Sequence, residues 1–86
     1  MKAIKVVLNQ AGQTDSETIS EIYKLIPNPA FRTPNTLKVT FRHALKCLRD
    51  WKCQIYECET LGGLLIFSTS AHLLENYQPT RRGAEL

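Results

Sequence analysis

Apolar residues near the start of the chain recur in two overlapping patterns. Between residues 3 and 11, four of them lie at helical spacing: Ile4, Val7, Leu8 and Ala11. Gly12 follows as a stop signal, so this pattern predicts a helix. The same stretch also alternates as Ile4, Val6 and Leu8, which is typical of a half-buried strand. We take the helix as the prediction and keep the strand as its alternative.

A second helix is predicted between about residues 14 and 26. Thr14 and Glu17 have the spacing of a capping box, in which each side chain accepts from a backbone amide of the other residue. The apolar residues that follow share one helical face: Ile19, Ile22, Tyr23 and Ile26. Pro27 cannot continue a helix, so we expect the chain to turn there.

The third predicted helix is the most informative segment. It begins at a cap on Thr33 or Asn35, with Pro34 suited to the first turn, and runs to about Trp51. Its apolar face contains Leu37, Phe41, Ala44, Leu48 and Trp51. We expect this face to pack on the core, with Trp51 as an anchor at one edge. A separate stripe of the same helix contains Asn35, Lys38, Arg42, Lys46 and Arg49.

The last part of the chain predicts a β-hairpin and a short helix. Polar and apolar residues interleave over 54–60, Gly62 and Gly63 supply a turn, and residues 64–67 form a second, apolar strand. Ser68 or Ser70 can cap the short helix. We therefore expect one α+β domain over residues 1–78, with three helices followed by a β-hairpin and a short C-terminal helix, and a flexible basic tail over residues 79–86.

Positive charge is concentrated between residues 32 and 52. This segment has six basic residues against Asp50 alone, whereas the rest of the chain has five basic and seven acidic residues. The six are Arg32, Lys38, Arg42, Lys46, Arg49 and Lys52. Such an imbalance indicates a surface that meets a polyanion. The alternative is a solvated helix face, although such faces usually mix charges of both signs.

The order of helices, turn, basic amphipathic helix and hairpin resembles the winged helix-turn-helix domains of small transcriptional regulators. The resemblance covers residues 3–68. Within it, Asn35–Leu48 is similar to a recognition helix and Gln54–Ser68 is similar to a wing. The resemblance implies a winged-helix-like domain whose third helix enters the major groove of double-stranded DNA.

The same resemblance implies a role for each residue of the stripe. Asn35 would read adenine, Arg42 would read guanine, and Lys38 would touch a base or a phosphate. Lys46 and Arg49 would meet phosphates. Further backbone contacts would come from three arginines outside the helix: Arg32, Arg81 and Arg82. One short chain offers one reading helix, so we expect a homodimer joined through the hairpin edge or the last helix.

Two other functions compete with DNA binding. The chain can be a protein-binding module or a small inhibitor that docks an acidic partner through the same basic face. The long connection over residues 27–34 favours this reading, as does a hairpin with Glu57 and Glu59 and no Lys or Arg. RNA binding is the third option, but only Tyr56 and Phe67 are available on the hairpin for base stacking.

The sequence gives little support to catalysis, metal binding or a membrane span. The three cysteines show no Cys-x-x-Cys spacing, and His43 and Cys47 share a helix without a third group to orient them. We expect no enzyme, metal or cofactor. No apolar run reaches about 18 residues, and the N-terminal one breaks at Asn9, too early for a signal peptide. We therefore expect a cytoplasmic protein with free thiols and no membrane partner.

Overall fold

A computed structural model of the chain describes residues 2–26, 33–60 and 62–78. The elements in chain order are β1 (Ala3–Val7), α1 (Ser16–Leu25), α2 (Pro34–Asp50), β2 (Tyr56–Glu59), β3 (Leu64–Ser68) and α3 (Ala71–Glu75). Three helices and three strands over these ranges confirm the α+β class. The expected order, three helices and then a hairpin, is wrong because the first element is a strand and only two helices precede the hairpin.

Strand β1 replaces the helix predicted over residues 3–11. Burial alternates along it, with Ile4, Val6 and Leu8 buried and Lys5 and Val7 exposed. This alternation is the strand pattern that the sequence left as an alternative. The strand forms because β3 offers it a partner: the two pair in parallel, from Ala3 opposite Leu64 to Val7 opposite Ser68.

The sheet is mixed and has β3 at its centre. The strand order is β1-β3-β2, and β2 pairs with β3 in the antiparallel direction. Every residue of β3 is buried, since apolar side chains cover both faces of the strand. On one face, Leu65 and Phe67 join the main core with α1 and α2. On the other face, Leu64 and Ile66 form a smaller cluster with Leu74 of α3.

Helix α1 begins one residue later than the capping-box prediction. Its cap is Asp15, whose carboxylate accepts a hydrogen bond of 2.6 Å from the Thr18 amide. This bond lowers the pKa of Asp15. Thr14 is therefore not the cap, and the capping box with Glu17 is a wrong prediction. The helix itself and the burial of Ile22 agree with the predicted apolar face.

Helix α2 begins after Thr33, one of the two predicted caps, with Pro34 in the first turn as predicted. Its buried side chains are Leu37, Phe41, Ala44, Leu45 and Leu48. The helix ends at Asp50, and Trp51 is 78% exposed, so the prediction that Trp51 anchors the core edge is wrong. The chain then turns sharply at Lys52, which has a positive φ of 52°.

The predicted hairpin is present, but its second strand lies in the interior of the sheet. Thr60 and Gly63 close the turn, with the Thr60 amide donating to the Gly63 carbonyl at 2.8 Å. Strand β3 is buried throughout, whereas three residues of β2 are half-buried and Glu59 is exposed. Glu57 of β2 accepts a hydrogen bond from the Tyr77 hydroxyl. The last helix has Ser70 as its cap, one of the two predicted positions.

Candidate nucleic-acid interface

The basic stripe lies on the solvent side of α2. The buried side chains of Leu37, Phe41 and Leu48 fix the helix on the sheet, which leaves the opposite side of the helix in solvent. Four cations on that side are exposed: Lys38, Arg42, Lys46 and Arg49. They follow one another at intervals of three or four residues, so they share one side of a 17-residue helix about 25 Å long.

The four cations have no acidic partner within the part of the chain that the structure describes. None of them forms an ion pair with a carboxylate in residues 2–26, 33–60 or 62–78. Asp50, the one acidic residue of α2, is exposed and does not pair with Lys46 four residues before it. The positive charge of this face is therefore not neutralised by the described residues, and a polyanion would meet all four cations.

Two neutral residues complete the outer side of α2. Asn35 is exposed in the first turn, where its amide group can donate and accept hydrogen bonds. Val39 is 56% exposed, one turn after Asn35 and close to Lys38 and Arg42 in the helix. Sequence reasoning did not select Val39, although its position on the helical wheel, outside the apolar face, was the signal that could have found it.

A loop between β1 and α1 borders the basic stripe on one side. Asn9 fixes this loop, because its side-chain oxygen accepts hydrogen bonds of 2.9 Å from the amides of Ala11 and Gln13. Gly12 has a φ of 76°, and a Cβ built on it would lie 3.8 Å from the Arg42 Cα. The loop is thus folded against α2 beside its cations, a proximity that the sequence does not reveal.

The same side of α2 carries a hollow of about 770 Å³ near the ends of β1 and β3. Arg49 lines it together with Gln10 and Thr69. A guanidinium, a carboxamide and a hydroxyl can all donate hydrogen bonds to phosphate oxygens. The loops therefore add neutral donors to the end of the basic stripe that Arg49 occupies.

The other border of α2 holds a cluster of thiol and aromatic groups. The Cys47 Sγ lies 3.6 Å from the His43 Nε2, and the His43 ring meets the Tyr56 ring edge-on at 6.0 Å. Burial raises the pKa of the Cys58 thiol. The pKa of Tyr56 is also raised, mainly by burial and to a smaller extent by the nearby Cys47 and Cys58. Cys58 and Tyr56 therefore stay protonated at neutral pH.

Part of the predicted site falls outside the described residues. Asn35, Lys38, Arg42, Lys46 and Arg49 are brought together on α2 as predicted. Arg32, Arg81 and Arg82 lie outside the ranges that the structure describes.

Comparison with known proteins finds no match. No family model, no curated protein and no solved structure shows a significant match to the chain. The winged helix-turn-helix resemblance thus gains no support from relatives.

The described residues offer neither a metal site nor a membrane span. No group of three or more His, Cys, Asp or Glu side chains is placed there to hold a metal ion. Within the same ranges, no helix combines the length and the apolar character needed to cross a membrane.

Proposed function

We propose that the chain is a small sequence-specific DNA-binding regulator that places α2 in the major groove. The observation that carries this proposal is the row of four exposed cations on one side of α2, none of them paired with a described carboxylate. An α-helix fits the major groove, which is about 12 Å wide. The length of α2, about 25 Å, allows contacts with phosphates on both sides of a reading segment.

Within this proposal the residues of α2 divide into readers and anchors. Asn35 and Arg42 carry the side chains that read adenine and guanine by paired hydrogen bonds. The exposed Val39 supplies an apolar contact for a thymine methyl group. Lys46 and Arg49 hold phosphates, and Lys38 touches a base or a phosphate.

The hairpin has a different role here from that of a DNA-gripping wing. Its outer strand β2 carries Glu57 and Glu59, which would repel phosphates, and its inner strand is buried. Strand β2 is an edge of the sheet, and an edge strand can pair with another chain. We therefore place the contact of the proposed homodimer at this edge.

The test is binding to random-sequence double-stranded DNA as the salt concentration is varied. For four phosphate contacts, the logarithm of the binding constant should fall with the logarithm of the salt concentration, with a slope of about −3.6. The triple variant K38Q/K46Q/R49Q removes the cations of α2 that can hold phosphates and should lose most of this binding. Its matched control, K2Q/K5Q/K24Q, removes the same charge from exposed residues elsewhere and should keep most of it. Absence of binding by the unaltered protein at low salt would refute the proposal.

A second candidate is docking of an acidic protein through the same face. The observation that favours it is the exposure of two large apolar side chains on or next to α2, Val39 at 56% and Trp51 at 78%. Exposed tryptophan and arginine are enriched in the parts of protein interfaces that carry most of the binding energy. This candidate predicts binding to a polyglutamate peptide that W51A weakens, together with no binding to DNA.

A further inference from the structure

A groove between α1 and α2 lies next to the basic stripe. Its volume is about 470 Å³, within the range of pockets that bind small molecules. Ile19 and Tyr23 of α1 form one wall, and Leu37 and Phe41 of α2 form the other. The part of the lining that the described residues form is mainly apolar.

The α2 wall of the groove is held by the core. Leu37 and Phe41 are both buried members of the main apolar cluster. The Phe41 ring also packs edge-on against Phe67 of the central strand, with centroids 5.6 Å apart. Because these side chains are already held in place, little conformational entropy is lost from this wall when a ligand binds.

Polar groups meet at one side of the same groove. Lys38 lines it from α2, and Gln13 and Thr14 line it from the loop between β1 and α1. The Gln13 backbone is fixed by its hydrogen bonds with Asn9. Lys38 has no carboxylate partner within the described ranges, and no acidic residue lines the groove there. One cation beside an apolar wall is complementary to a ligand with one negative charge and an apolar body.

We propose that the groove binds a small molecule that has an aromatic or aliphatic body and a single carboxylate. The body packs between Tyr23 and Phe41, and the carboxylate meets Lys38 with the Thr14 hydroxyl and the Gln13 amide nearby. The site does not depend on the proposed DNA binding, because its walls belong to the inner side of α2 and to α1. Lys38 is the one residue that the two surfaces share.

The test compares 3-phenylpropionate with its neutral amide, 3-phenylpropionamide, by isothermal titration and by changes in backbone amide NMR shifts. The acid should bind saturably and more tightly than the amide, by a factor of up to about five, as expected for one exposed charge pair. K38Q should remove this difference. K46Q is the matched control: it removes a cation of the same helix that does not line the groove, and it should keep the difference.

A blocking variant tests the apolar half of the site. I19W fills the groove from α1 and should abolish binding of both compounds, with folding checked by circular dichroism. The proposal fails if neither compound saturates the unaltered protein, if the acid and the amide bind equally, or if K46Q acts like K38Q. DNA binding is measured separately on the unaltered protein. A protein that does not bind DNA could therefore still bind the acid in this groove.

Discussion

The hydroxyl of Tyr77 donates a hydrogen bond of 2.6 Å to the Glu57 carboxylate, which joins the segment after α3 to the edge strand β2. We expect Y77F to lower the free energy of unfolding by about 1 kcal/mol, since the acceptor is charged and the contact is partly buried. Urea denaturation measures the loss. The control is Y23F, because the Tyr23 hydroxyl has no hydrogen-bond partner among the described residues; it should change stability by less than about 0.5 kcal/mol. Equal losses would contradict a specific role for the Tyr77–Glu57 bond.

The cap of α1 predicts a pH-dependent contribution to stability. The hydrogen bond from the Thr18 amide lowers the pKa of Asp15 below its ordinary value of 3.8. A lowered folded-state pKa means that the ionised carboxylate stabilises the folded protein. This contribution is fully present above the unfolded-state pKa and is lost as the pH falls through the lower folded value.

The measurement for Asp15 is the urea midpoint between neutral and acidic pH. D15A should have a lower midpoint than the unaltered protein at neutral pH, and the gap should shrink as the pH falls below about 3.8. D15N keeps a capping oxygen but cannot ionise, so it should retain most of the stability at neutral pH. The difference between the urea midpoints of D15N and D15A should not change with pH. A gap between D15A and the unaltered protein that stays constant with pH would contradict the cap.

The first strand shows where the sequence was insufficient. Ile4 and Leu8 fit both the helical and the alternating pattern, so this short segment could not distinguish a helix from a strand. The alternation of Ile4, Val6 and Leu8 was the correct pattern, and the parallel partner β3 decided it. That partner lies about 60 residues away, beyond the reach of any local pattern.

The third predicted helix shows what the sequence could supply. Its buried face and its basic stripe follow from helical periodicity, which is reliable over 17 residues. Its cap, Thr33, is one of the two residues that the sequence offered. The prediction failed at Trp51, one residue past the helix end, where the backbone leaves helical geometry. The groove between α1 and α2 could not be predicted, since it depends on how the fold brings Gln13 and Thr14 of the loop to the same groove as Lys38.

The exposure of Trp51 gives a direct spectroscopic prediction. Trp51 is the single tryptophan of the chain and is 78% exposed, so its fluorescence maximum should be close to that of free tryptophan. The maximum should shift little when the protein is unfolded in urea. W51A should change stability by less than about 0.5 kcal/mol, as at an ordinary surface position. A strongly blue-shifted emission, or a loss above 2 kcal/mol on the scale of a core truncation, would place Trp51 in the core after all.

The turn between β2 and β3 depends on close packing against the end of α1. A Cβ on Gly62 would lie 2.7 Å from the Leu25 carbonyl oxygen and 3.0 Å from the Ile26 Cα, so backbone would have to move. We expect G62A to cost about 1–3 kcal/mol in urea denaturation. G12A is the comparison, because its added Cβ has room at 3.5 Å and only the positive φ of 76° opposes it, at about 1 kcal/mol. A smaller loss for G62A than for G12A would contradict the close approach of turn and helix.

The division of α2 into anchors and readers predicts two kinds of DNA-binding defect. K46A removes a phosphate contact, so it should weaken binding to all duplexes about equally and reduce the salt slope by about one. R42A and N35A remove base contacts, so each should cost about 1–3 kcal/mol on the preferred sequence, selected from a random pool, and much less on unrelated DNA.

The control for this set is K24A, which removes an exposed cation from α1. It should leave both the salt slope and the sequence preference unchanged. If K46A, R42A and N35A all bind like the unaltered protein while circular dichroism shows them folded, α2 does not read DNA. If all three weaken every duplex equally, α2 contacts only phosphates, because loss of a base contact must depend on the base.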